Sequence, residues 1–155
     1  MNYDRVTIKE IDLEKTLNLR KILNKRVISK NGLVIGRVKE VRVNSDKKSI
    51  EGFVVSWGIM NNPLYIGLSY VDRISHEAII LNIDPCVLLK NRKVITSDGE
   101  KIGRVKEVIR KDYSNEIEEL IVNSFLRKDL LIKISNIRSL GKSIILNPNY
   151  NVKKE

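Results

Sequence analysis

The side chains that most often perform chemistry are rare in this chain of 155 residues, which has one histidine, His76, and one cysteine, Cys86. A structural zinc site needs about four His, Cys or carboxylate ligands, and a nucleophilic cysteine needs a partner base. We therefore predict no metal, no cofactor and no internal disulfide. The adjacent carboxylates Glu118 and Glu119 lie in a strand-like stretch, where neighbouring side chains point to opposite faces and cannot act on one bond. These observations favour a protein that is not an enzyme.

The other chemical motifs are weak. His76 lies in a stretch typical of a hairpin tip, and Cys86 lies beside apolar residues, where a thiol serves as a small buried hydrophobe. Gly32 and Gly36 are spaced as in a glycine-rich loop, but they lie in turn-like and strand-like sequence, and no helix start follows them. We therefore expect no nucleotide-binding loop here.

The segments that follow the central strand of each half are the main candidates for binding. Tryptophan, tyrosine, methionine and arginine are enriched at the centres of protein interfaces. An equally good alternative is that the aromatic residues of these segments only close the ends of the two domains. The predicted partner-binding residues are Trp57, Ile59, Met60, Tyr65, Phe125, Leu126 and Arg127.

A tandem duplication organises the chain. Residues 35–41, Ile-Gly-Arg-Val-Lys-Glu-Val, recur letter for letter at residues 102–108, an offset of 67. The longer frame around them also matches, so we infer two copies of a module of roughly 60 residues. Within the repeat, Arg37 and Glu40 have counterparts in Arg104 and Glu107. They could form a paired binding patch, but charges that satisfy neighbours on the same strand are the more common interpretation.

Each copy reads as short β-strands. In the first copy we predict strands at 26–29, 33–43, 50–55, 65–66 and 78–82, and in the second the matching stretches, ending with 131–134 and 143–147. Asn31-Gly32 and Asp98-Gly99 predict two-residue hairpin corners with positive φ at both positions. Gly36 and Gly103 predict a bend or bulge, because the apolar parity slips after them. Such strands predict an all-β fold of two small β-barrels or sandwiches.

The predicted domains are an N-terminal extension (1–20), a first barrel (21–83), a second barrel (88–148) and a flexible tail (149–155). A short apolar turn leads into each barrel. In the extension, 5–8 could add a strand and 13–23 a short helix. The polar N-terminus and short apolar runs predict a cytoplasmic protein without a transmembrane segment.

The charge is strongly basic, with a net value of +10. Up to Pro85 there are 14 Lys and Arg against 10 Asp and Glu, or +4, and the remainder contributes 15 against 9, or +6. This excess suits nucleic acid, an acidic membrane surface or an acidic protein. Only 5% of residues are aromatic, and none interleaves with basic residues as a base-stacking platform would require. RNA binding is therefore the alternative rather than the first interpretation.

The glycines and valines of 25–55, followed by a hairpin that ends Ile-Ile-Leu-Asn, resemble the PRC-barrel family, and the resemblance covers nearly the whole chain as two copies. The family includes the small β-barrel of the photosynthetic reaction-centre H subunit and the C-terminal half of a bacterial ribosome maturation factor. In form the chain is similar to archaeal PRC-barrel proteins, some of which are implicated as cell-division adaptors.

The resemblance implies a non-enzymatic adaptor in archaeal cell division, associated with the division ring and recruited to the division site at the membrane. Its partners would be other PRC-barrel proteins or division-ring adaptor proteins, and it would form homodimers or hetero-oligomers. The alternative is a basic ribosome- or RNA-associated maturation factor.

Overall fold

The computed structural model describes residues 12–57, 61–124 and 128–151, with the side chain of Leu13 excepted. The chain divides into two compact units, Met1–Asp84 (unit 1) and Pro85–Glu155 (unit 2). Each unit contains one six-stranded sheet, so the predicted all-β fold of two like modules is confirmed.

The sheet of unit 1 has the order β4-β3-β2-β1-β6-β5. All neighbours are antiparallel except β1 and β6, which are parallel. The first and last strands of the unit, β1 and β6, are therefore neighbours inside the sheet, and β4 and β5 form its two edges. The strands are β1 (Arg26–Ile28), β2 (Val34–Asn44), β3 (Ser49–Trp57), β4 (Asn62–Gly67), β5 (Val71–Ile74) and β6 (Ala78–Leu81).

Unit 2 repeats this topology in the order β10-β9-β8-β7-β12-β11, again with one parallel pair, β7 with β12. Its edges are β10 and β11. The strands are β7 (Lys93–Ile95), β8 (Lys101–Arg110), β9 (Ile117–Ser124), β10 (Leu130–Lys133), β11 (Ile137–Leu140) and β12 (Ser143–Leu146).

A short helical turn leads into each sheet, as predicted. In unit 1 this is α1 (Leu19–Ile22), whose Ile22 is buried, and in unit 2 it is a 3-10 turn, Cys86–Leu89, whose Leu89 is buried. The helix expected over 13–23 is not continuous, because only a 3-10 turn (Leu13–Lys15) precedes α1. Asn18 interrupts it, since its side chain accepts from the Arg20 N–H as an N-cap.

Each core contains the inward side chains of its sheet together with the buried residue of its lead-in turn. In unit 1, Phe53, Val55 and Ile79 are buried to 1% exposure or less, and in unit 2 the same holds for Leu120 and Val122. The inward positions of β2 are Ile35, Val38 and Val41, three residues apart rather than two. Between Val38 and Glu40 one residue of β2 has no partner on β3, which accounts for the spacing from Val38 to Val41. A second register shift lies opposite β1, between Val34 and Gly36. The predicted bulge in this strand is thereby confirmed.

The corner after β1 differs from the predicted two-residue hairpin. Gly32 has a φ of +85°, but Asn31 does not have a positive φ. The Gly32 N–H donates to the Ser29 carbonyl, and the Ser29 N–H donates to the Leu33 carbonyl. The loop is therefore a turn followed by a left-handed glycine, a three-residue corner in which only the glycine needs positive φ. The corner at Gly99 has the same form.

The edge strands β5 and β11 are absent from the sequence prediction, which gave each unit five strands. β5 reads Val-Asp-Arg-Ile and β11 reads Ile-Arg-Ser-Leu, so charges interrupt the apolar pattern in both. Each pairs antiparallel with only one described strand, β6 or β12. Their formation depends on that neighbour rather than on their own composition.

Candidate protein-interaction surface

The identical heptapeptide of the two units serves the fold. Arg37 donates from Nη1 to the carbonyl of Asn24 at 2.9 Å, and Arg104 makes the same bond to Asn91 at the same distance. Asn24 and Asn91 both have left-handed backbones, with φ of 65° and 70°. The equivalent arginines thus secure the corner between the lead-in turn and the sheet, which supports their structural interpretation.

The other charged residues of the heptapeptide form different ion pairs in the two units. Glu40 pairs with Arg42 on the same strand at 3.3 Å, with both side chains more than half exposed. Lys106 binds Asp129 at 2.6 Å, and this hydrogen bond together with the carboxylate charge raises the pKa of Lys106. Exposed pairs of this kind contribute little to stability.

A cation beside each lead-in turn contacts the hairpin before the last strand. Lys25, which is only 8% exposed, donates from Nζ to the carbonyls of Ser75 and His76 at 2.7 and 2.6 Å. In unit 2, Arg92 donates to the carbonyl of Gly141 at 2.7 Å. Two units with different cations thus fasten the same hairpin tip, so these basic residues are used by the fold and not by a ligand.

The two residues whose side chains are best suited to chemistry, His76 and Cys86, belong to different units. His76 is exposed at the tip of the β5–β6 hairpin, where the sequence predicted it. Cys86 is buried, and its backbone N–H donates to Asn115 Oδ1 at 2.7 Å. Burial raises the pKa of the Cys86 thiol above its ordinary value of 9.0, and the charge of Arg110 offsets that only in part. Among the described residues no group of three or more His, Cys, Asp or Glu could hold a metal ion.

Trp57 and Tyr65 are the two predicted binding residues whose positions the structure describes. Trp57 is the last residue of β3, partly buried, with Gly36 and Asn62 as its neighbours on β2 and β4. Tyr65 lies on β4, opposite Val54, and is 55% exposed. Its hydroxyl lies against Gly52, 2.9 Å from where a Cβ on that glycine would stand. The two aromatic residues therefore belong to one hairpin, β3–β4, but face opposite sides of it.

The other five predicted binding residues, Ile59, Met60, Phe125, Leu126 and Arg127, lie outside the described residues.

Leu131 is a candidate that the sequence analysis did not single out. It lies on β10 opposite Ile121, as Tyr65 lies on β4 opposite Val54, and it is 56% exposed. Both units therefore present one large apolar side chain at the same place on an edge strand. The tandem alignment is the signal that could have found Leu131, because it pairs this strand with β4.

Two pairs of cations lie outside this surface, on the β1–β2 and β7–β8 ladders. Arg26 is opposite Arg37 in unit 1, and Lys93 is opposite Arg104 in unit 2. All four side chains are exposed. Like charges directly opposite each other destabilise a sheet, and within each pair one arginine, Arg37 or Arg104, also donates to a backbone carbonyl.

In the part of the chain that the structure describes, we find no helix of the length and apolarity needed to cross a membrane. No curated protein matches the chain. The PRC-barrel domain family matches it twice, at residues 14–85 and 86–152. These two matches together cover most of the sequence and coincide with the two repeated six-stranded sheets. The chain therefore belongs to the PRC-barrel family and contains two PRC-barrel domains in tandem.

Proposed function

We propose that this protein is a non-enzymatic adaptor that binds other proteins through the edge strands of its two PRC-barrel domains. PRC-barrel domains often mediate protein interactions. The observation that carries the proposal is the pair Tyr65 and Leu131. Each is large, apolar, more than half exposed and located at the same place on an edge strand of its unit. An edge strand offers unpaired backbone groups to a partner strand, and an exposed side chain beside it adds apolar contact.

The cellular setting that we propose is archaeal cell division, with the adaptor acting in the cytoplasm at the division site on the membrane. The partners are other PRC-barrel proteins or division-ring adaptor proteins. The support for this setting is that the chain consists of two PRC-barrel domains in tandem. Trp57, Ile59, Met60, Phe125, Leu126 and Arg127 remain proposed contact residues beside Tyr65.

Affinity purification of the tagged full-length chain from its native host tests this proposal. We expect the wild-type chain to recover the tubulin-like division protein or another PRC-barrel protein, and the double variant Tyr65→Ser, Leu131→Ser to lose it. Both positions are exposed, so the variant is expected to keep its fold, which circular dichroism would check. Recovery of ribosomal proteins alone, or equal recovery by both chains, would contradict the proposal.

The second candidate function is a basic ribosome- or RNA-associated maturation factor. The opposed cations Arg26 and Arg37, repeated as Lys93 and Arg104, favour it. For that function we expect sub-micromolar RNA affinity whose logarithm falls steeply with the logarithm of salt concentration. Replacing Arg26 and Lys93 with glutamine should reduce that slope by about two, one for each lost phosphate contact. A weak affinity with a shallow salt dependence would exclude this candidate.

A further inference from the structure

The strand β4 differs from the other three sheet edges in its charge. β5 contains Asp72 and Arg73, β10 contains Lys133 and β11 contains Arg138, whereas β4, Asn62–Gly67, contains no charged residue. Charged side chains on an edge strand prevent it from pairing with another copy. β4 lacks that protection, and among the described residues only β3 pairs with it.

Pro63 shows which backbone groups of β4 point outward. Proline has no N–H, so in an edge strand it occupies a position whose N–H side faces away from the sheet. The β3–β4 register runs without a shift from Asn62 to Gly67. Because outward and inward groups alternate along a strand, Tyr65 and Gly67 share the outward orientation of Pro63. On that side, neither the backbone of Tyr65 nor the N–H of Gly67 has a described strand partner.

These outward groups are complementary to themselves. If two copies of β4 align antiparallel around Tyr65, that tyrosine meets its own copy, Leu64 meets Ile66, and Pro63 meets Gly67. The two tyrosines exchange two N–H to carbonyl hydrogen bonds, and each Gly67 N–H reaches the carbonyl of the opposite Pro63. The absent proline N–H removes only one bond at each end. Leu64, which is partly exposed in the single chain, gains an apolar neighbour.

We propose that β4 is a homotypic docking strand, which joins two copies of this chain through antiparallel β4–β4 pairing centred on Tyr65. This inference rests on the proposed adaptor function, and it identifies the partner that binds at β4 as a second copy of the same chain. An acidic peptide is less suited to the strand, because β4 offers no cation to it. The two-fold symmetry brings the same patch of both copies together, as in a closed dimer.

The net charge of +10 on each copy determines how this association responds to salt. Pairing about five residues a side buries less than the roughly 1,200 Å2 of a standard interface, so we expect a dissociation constant of roughly 10–100 μM. The copies repel each other, and salt screens that repulsion. The dimer should therefore tighten as salt concentration rises, whereas a complex with an acidic peptide or RNA would weaken.

Sedimentation of the full chain with a charge exchange at position 65 tests the register. We expect Tyr65→Lys and Tyr65→Glu each to weaken self-association at least about tenfold, because position 65 meets itself and like charges then lie opposite each other. An equimolar mixture of the two variants should associate at least about tenfold more tightly than either alone. Tyr113→Lys is the matched control, since Tyr113 is a 98% exposed tyrosine in a turn of the other unit, and it should leave association unchanged.

A second measurement is independent of charge. In a hydrogen-bonded antiparallel pair the two Cα atoms lie about 5.5 Å apart, which is within disulfide range. Oxidised Tyr65→Cys should therefore form a covalent dimer, and Leu131→Cys should not. The native Cys86 is buried and remains in both variants.

A wild-type chain that stays monomeric throughout the expected range would overturn the inference. So would a variant mixture that fails to recover association, or a control that loses it equally. A monomeric chain that still recovers a division protein in the native purification would refute the β4 dimer and leave the proposed adaptor function standing.

Discussion

Replacing Gly36 with alanine is expected to disrupt unit 1. Gly36 lies opposite Trp57 on the β2–β3 ladder, and a Cβ there would stand 1.8 Å from the carbonyl oxygen of Ser56. Ordinary contacts begin at 3.4 Å, and the neighbour is backbone, which cannot rotate away. The strands must separate by more than an ångström. We expect this to break two or three ladder hydrogen bonds, worth about 1 kcal/mol each, and to loosen the packing of Val38 and Val55. The total loss is about 3–5 kcal/mol, a large part of the stability of a small domain.

Urea unfolding followed by tryptophan fluorescence measures this effect. Trp57 is the only tryptophan of the chain and lies in unit 1, so its emission reports the unfolding of that unit. Gly67→Ala is the matched control. Gly67 has φ −66° and ψ 148°, and its nearest obstacle is 3.8 Å away, so alanine should leave stability unchanged or raise it by about 0.5 kcal/mol. A Gly36→Ala chain within about 0.5 kcal/mol of wild type would refute the close-approach argument.

Two further predictions concern the buried cation and the buried thiol. Lys25→Met should lower the free energy of unfolding by about 2 kcal/mol, because the carbonyls of Ser75 and His76 lose a charged donor. Lys25→Arg should retain most of that stability, since Arg92 makes the equivalent contact in unit 2. Equal urea midpoints for both variants would contradict this. Cys86 should react with a maleimide at least about tenfold more slowly in the native than in the urea-unfolded chain at pH 8, since the thiolate is the nucleophile and burial raises the thiol pKa. Because that folded-state pKa is raised, the contribution of the protonated thiol to stability is complete below the unfolded pKa, near 9.0, and is lost as pH rises through the folded pKa. Cys86→Ala should remove this alkaline loss, and an unchanged pH profile would show that the thiol does not cause it.

Much of the fold could be predicted from the sequence because its signals are local or repeated. The identity of 35–41 with 102–108 indicates two like units, and the strands β2 and β8 carry enough apolar residues to be recognised alone. The strands β5 and β11 could not be recognised in this way. Their charges suit a surface edge, and their backbone conformation is fixed by β6 and β12, which in turn pair with strands about fifty residues earlier.

The turns also combine a feature that the sequence indicates with one that depends on the tertiary structure. The positions Gly32 and Gly99 are evident from the sequence, but the number of residues in each corner depends on how the flanking strands register. The glycines at 36 and 103 are evident from the sequence, but the reason for them lies in the neighbouring strand, since the backbone of β3 or β9 leaves no room for a Cβ.

For the candidate surface, residue type alone selected Tyr65 as an aromatic residue near a loop. It also selected five residues that lie outside the part of the chain that the structure describes. It did not select Leu131, because leucine is common in cores and nothing in its immediate neighbours distinguishes an exposed one. That the chain is a duplicated all-β module follows from its amino-acid sequence alone, since a repeat and an apolar alternation are both visible in the order of the residues. That Tyr65 and Leu131 lie on sheet edges, and that β4 is an edge without charge, is known only from the three-dimensional arrangement of the strands, because an edge strand is one that lacks a neighbour on one side.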